Sequence, residues 1–195
     1  MKSDRRLLAM FAVSARFGGG DAATLAWTQG MGGGKAWTPR YTHAAVCYDN
    51  GVIVTTGGWT ASGPSSEVHA TTAGGTALSS VSQTTFTARS GHAIARVTGD
   101  ADAFLVVGGW SNWAVGSGYM NDAILTEDRG VSFVEMSNSV FTSGRGTIAL
   151  VATGPATFVA YGGYSSSLHN EVRQSTNSGV DWTTLRAEGG GGGEC

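Results

Sequence analysis

Lysine is nearly missing from this chain: only Lys2 and Lys35 occur in 195 residues. Charged residues make up 13%, about half the usual ~25%. With a net charge of −2 there is no electrostatic footprint for nucleic acid or an anionic membrane surface. Cysteine is as scarce. Cys47 and Cys195 make neither a disulfide framework nor a zinc-ligand spacing. Cys47 falls in an expected core strand and reads as a small buried hydrophobe, whereas Cys195 ends a glycine tail. No apolar run nears the ~20 residues of a membrane span. Lys, Glu and Gln are too few to suggest long helices.

What is abundant is glycine, 31 residues, with much Ser and Thr and a normal apolar fraction of 41%. The chain is therefore not of the disordered type, and short β-branched runs broken by Gly point to an all-β protein with tight turns. Three such runs end alike: 52–56 in Gly57-Gly58-Trp59, 104–107 in Gly108-Gly109-Trp110, and 158–161 in Gly162-Gly163-Tyr164. The repeat length of about 50 residues is that of a propeller blade.

Other signals recur in step. The stretches opening at Glu67, Asp122 and Glu171 each pair an acidic residue with a short strand, a Ser/Thr-and-Gly turn and an apolar anchor. Upstream, Trp37-Thr38-Pro39-Arg40-Tyr41-Thr42-His43 matches Phe86-Thr87-Ala88-Arg89-Ser90-Gly91-His92. Aligned without a gap, the third copy keeps Phe141 but sets Gly144 and Thr147 where Arg and His stand. Each unit reads as four strands, giving blades at about 42–81, 91–136 and 146–185. Trp27 reads as the anchor of a partial blade before them, and 186–195 as a flexible Gly-rich tail. Segment 1–26 has two readings: part of that blade, or a signal peptide over 1–15 that makes the protein secreted.

Together these residues resemble the kelch family of β-propellers over about 27–185. The resemblance implies an all-β, kelch-type β-propeller with three four-stranded antiparallel blades plus a partial N-terminal blade, about half a ring. Ser175-x-Asn177-x-Gly179-x-x-Trp182 and Thr126-x-Asp128-x-Gly130-x-x-Phe133 resemble the Asp-box turn of sialidase-type propellers, a structural hairpin in that family. Galactose oxidase belongs to the kelch-type propellers, but no copper site or Tyr–Cys pair carries over to this sequence. The sialidase arginine triad does not carry over either.

The chemistry-bearing residues therefore read mostly as structure. His43 and His92, with Arg40 and Arg89, recur once per blade, as do the glycine pairs, and catalytic residues rarely do so. Asp128, Asn177 and Trp182 read as turn and anchor residues. Trp113, which has no counterpart in the other units, is the sharpest binding candidate, with Trp110 and Tyr119 beside it on the long loop before the third strand of blade two. No metal, cofactor or catalytic residue is expected. The expected role is a non-enzymatic module for a protein or carbohydrate partner. The alternative is a partial chain of a secreted carbohydrate-active or galactose-oxidase-like enzyme. Half a ring implies a truncated product, self-association that closes it, or a partner that caps it.

Overall fold

The computed structural model describes residues 37–73, 77–81, 85–112 and 117–189. The expected partial blade, segment 1–26 and Trp113 lie outside the described residues, as do 190–195 of the tail. The chain is all-β. Blade one holds β1 (Ala44–Cys47), β2 (Ile53–Thr56), β5 (Val68–Thr71) and β6 (Leu78–Val81), with a small ribbon of β3 (Trp59–Thr60) and β4 (Gly63–Pro64) in its long loop. Blade two holds β7 (Ala93–Arg96), β8 (Phe104–Val107), β9 (Ala123–Thr126) and β10 (Val134–Ser137). Blade three holds β11 (Ala149–Gly154), β12 (Thr157–Tyr161), β13 (Val172–Ser175) and β14 (Thr183–Arg186).

Every strand pairs antiparallel with its neighbour, so each blade is a four-stranded meander in a propeller-like series. The first strands gather on one side, with β7 against both β1 and β11. Among the described residues no helix is long and apolar enough to cross a membrane.

The blades stack because β8, in the middle of blade two, is apolar on both faces. All four side chains of β8 are fully buried. Phe104 and Val106 join Val46, Val54 and Val68 of blade one, while Leu105 and Val107 join Phe158 and Ala160 of blade three. That division follows from the two-residue period of a strand. Each such side chain contributes about 1.5–3 kcal/mol when fully buried. The same period corrects the expectation for Cys47. Val46 enters the core toward blade two, but Ala45 and Cys47 point the other way, and Cys47 is exposed.

Backbone bonds stitch neighbouring blades in one repeated pattern. Between blades one and two, Gly58 N–H donates to the Arg89 carbonyl, Arg89 N–H to the Ser65 carbonyl, and Gly91 N–H to the Thr42 carbonyl. Between blades two and three, Gly109 N–H donates to Arg145, Arg145 N–H to Met120, and Thr147 N–H to Gly91. The first glycine of each pair makes this approach feasible. A Cβ on Gly57 would lie 2.4 Å from the Arg89 carbonyl oxygen, and one on Gly108 would lie 2.7 Å from that of Arg145 and 2.5 Å from Ile148 Cδ1.

Gly108→Ala should therefore cost well over 2 kcal/mol, from steric overlap added to a left-handed backbone. Gly99→Ala is the control: it has φ +86° but nothing within 4 Å of an added Cβ, so it should cost only about 1 kcal/mol. Urea denaturation of both variants measures the difference, and equal losses would show that the interblade approach is not what Gly108 serves.

Candidate binding site

The glycine pairs, the long loops and the links between blades all lie at one end of the sheets. At this end each blade carries an arginine clamp. Arg40 donates Nη1 to the Gly57 carbonyl at 2.9 Å and pairs with Glu67. Arg89 donates Nη1 to the Gly108 carbonyl at 3.1 Å and holds Asp122 with two bonds of 2.9 and 2.7 Å. Arg145 pairs with Glu171 at 3.0 Å, and both side chains are fully buried.

Burial works against the Glu171 charge, but bonds from the Thr142 backbone, Arg173 and the Thr142 hydroxyl hold its carboxyl below the ordinary range. Each guanidinium lies over an aromatic ring: Arg40 on Trp37 at 4.4 Å, Arg89 on Phe86 at 5.4 Å, Arg145 on Phe141 at 4.4 Å.

Arg145 was missed by the gapless alignment, which sets Gly144 in its place. The third copy has one extra residue between aromatic and arginine, so the structural equivalents of Arg40 and His43 are Arg145 and Ile148. The signal was in the sequence, an Arg one position late. The extra room takes in the Tyr119 backbone, because a Cβ on Gly144 would lie 2.4 Å from the Tyr119 carbonyl oxygen.

Of the two repeat histidines, His92 sits in the interblade packing, whereas His43 is exposed on the outer side of blade one. His92 Nε2 lies 2.7 Å from Thr56 Oγ1 of blade one, and its ring fills the space beneath Gly57 as Ile148 does beneath Gly108. Burial, then the charges of Arg89 and His43, pushes its pKa down to about 3. His92 is thus neutral near pH 7 and buried away from solvent, poorly placed for acid–base chemistry. His43 packs against Trp37, with their ring centroids 5.5 Å apart, and burial followed by the Arg40 charge lowers its pKa too.

Of the loop candidates, Trp110 is a half-buried anchor between blades. Its ring lies over Gly91 of blade two and Gly146 of blade three, where added Cβ atoms would approach within 2.5 and 2.1 Å. Tyr119 meets it edge-on at 6.3 Å and donates its hydroxyl to the Ser165 carbonyl of blade three. Burial, then the Tyr164 phenol, raises the Tyr119 pKa and keeps that donor protonated.

Beside this contact lies an open groove of about 280 Å³, lined by Ser117, Gly118, Tyr119, Ser143, Gly144, Ser165 and Ser166. Its lining is neutral and rich in hydroxyls. Trp113 belongs to the same loop, outside the described residues.

Asp128, Asn177 and Trp182 lie at the opposite end of the sheets. Thr126 Oγ1 bonds Asp128 and the Gly130 N–H, and Asp128 accepts from the Ser132 N–H at 2.9 Å. Ser175, Asn177, Gly179 and Asp181 repeat these bonds, and Trp182 Nε1 donates to the Gly179 carbonyl. These turns pack on the preceding blade: an added Cβ on Gly130 would lie 2.9 Å from Val68, and one on Gly179 2.9 Å from Leu105.

Among the described residues no group of three or more His, Cys, Asp or Glu gathers as a metal site. The arrangement can accept and donate hydrogen bonds to a neutral ligand in the groove. No protein-family model matches the chain, and no curated protein matches it either.

Removing Arg89 strands Asp122 and the Gly108 carbonyl, so Arg89→Ala should lose about 3–5 kcal/mol in urea denaturation. For His92 the unfolded imidazole titrates near 6.5 and the folded one near 3. Its contribution is thus complete above pH 6.5 and falls by about 1.4 kcal/mol per pH unit toward 3. His92→Ile, which copies Ile148, should remove about 2 kcal/mol of the stability lost between pH 6.5 and 5. Identical pH profiles for the two proteins would sink this assignment.

Proposed function

We propose that this chain is a kelch-type propeller module that binds a protein or glycan through its long loops, without catalysis. The observation that carries this reading is the groove beside Tyr119, which draws its walls from the long loops of blades two and three and the link between them. Its hydroxyl and backbone lining, with no charged side chain, suits a neutral, hydroxyl-rich ligand such as a sugar face better than a phosphate or carboxylate. The Tyr119 ring adds apolar surface with a polar tip, the combination favoured where one side of a ligand is apolar and the other wet.

The kelch-type reading is supported by the glycine pairs at matching ends of β2, β8 and β12 and by the four-stranded repeat. The hairpins of Asp128 and Asn177 share the bonding expected of Asp-box-like turns, far from the groove. Trp113 is proposed to flank the ligand from the same loop as Tyr119.

Screening immobilised glycans and peptides identifies the ligand. Tyr119→Ala and Trp113→Ala should each then weaken binding about tenfold or more, with the fold retained by circular dichroism. Binding unchanged in Tyr119→Ala would remove the groove from the mechanism.

A further inference from the structure

Blade three turns toward solvent the side that blades one and two cover with a neighbour. Val151 is 47% and Tyr161 46% exposed, whereas their counterparts Val46, Ala95, Thr56 and Val107 are buried. The backbone repeats the contrast. The pattern that joins blades one to two and two to three needs, on blade three, the Gly163 N–H and the His169 and Thr147 carbonyls. Among the described residues none of these three makes a hydrogen bond.

Gly162 keeps the left-handed φ of +68°, yet among the described residues an added Cβ there would find only the His169 carbonyl oxygen, at 3.6 Å. Among the described residues, none fills over Gly162 the space that Arg89 fills over Gly57 and Arg145 over Gly108.

The complementary half of this contact is on blade one of the same chain. The pattern calls there for the Arg40 carbonyl, the Arg40 N–H and the Thr42 N–H, and among the described residues none of them makes a hydrogen bond. Ala45 and Cys47 of β1 are exposed on that side. Their counterparts in blade two are engaged: Ile94 packs into the core shared with blade one, and Arg96 reaches the Cys47 carbonyl at 3.3 Å and Asp49 at 3.2 Å.

We propose that the open side of blade three docks on the blade-one side of a second copy of this chain, head to tail, and that two such contacts close a two-chain ring. The occupant is a second copy because both halves of the contact are on this chain. They match in apolar surface, in donors and acceptors, and in the glycine that admits a carbonyl. The contact extends a packing that the fold already makes twice, and a heterologous contact whose rotation closes gives a ring rather than a filament. This goes beyond ligand binding at the groove and does not depend on it.

The full chain with Cys195→Ser, studied at micromolar concentration by light scattering, should have twice the 19.9 kDa chain mass. Cys47 should resist alkylation in the associated form and react on dilution. Val151→Glu should give a monomer with a reactive Cys47. Gly162→Ala, which meets no atom closer than 3.6 Å among the described residues, should fold and yet weaken association at least tenfold. A monomer at every concentration overturns the proposal. So does a dimer whose Cys47 stays fully reactive, growth into open-ended chains, or association unchanged in Gly162→Ala.

Discussion

The approach of an arginine carbonyl in one blade to the first glycine of the blade before it is the contact on which the rest depends. At Gly57 and Gly108 the backbones come so close that no Cβ fits. That closeness lets the N–H of the second glycine, the next residue, reach the same carbonyl. It also brings His92 and Ile148 beneath the preceding glycine pair. Once the backbones are locked at this end, the sheets lie near enough to share side chains along β2, β8 and β12.

The buried arginines follow from the same contact. A carbonyl delivered into a neighbour's glycine pair belongs to a residue whose side chain must stay inside the blade. Arg89 uses it to tie the link before β7 to Gly108 and Asp122, the points where β8 ends and β9 is about to begin. Burying three guanidinium groups is tolerated because each has a carboxylate and an aromatic face. The groove is a by-product of this geometry. Its walls come from two blades, so its shape is held by the interblade contact and by the Tyr119 bond to Ser165.

Much of the fold was legible because it repeats. The glycine pairs mark the ends of β2, β8 and β12, and the acidic residues Glu67, Asp122 and Glu171 precede β5, β9 and β13. The third arginine was not legible in a gapless comparison, since one added residue shifts Arg145 and leaves Gly144 in register. Cys47 was misjudged because a strand's alternation says which residues share a face but not which face has a neighbour. The groove could not be read from sequence at all. Ser143, Gly144 and Ser165 are unremarkable in the chain, and only the stacking of blade three on blade two brings them to Tyr119.

The all-β character and the three like units are legible from the residues alone, because hydrophobic alternation and glycine at strand ends are local properties written in every copy. The recurrence of Arg40 and Arg89, and of Glu67, Asp122 and Glu171, is a local property of the same kind. The tertiary structure alone decided that these residues meet as buried clamps. It decided that His92 is a neutral packing residue shared between blades, and that, among the described residues, one side of blade three and the opposing side of blade one are left with matching unused bonds. Those outcomes depend on distances between segments about 50 residues apart, which no local pattern records.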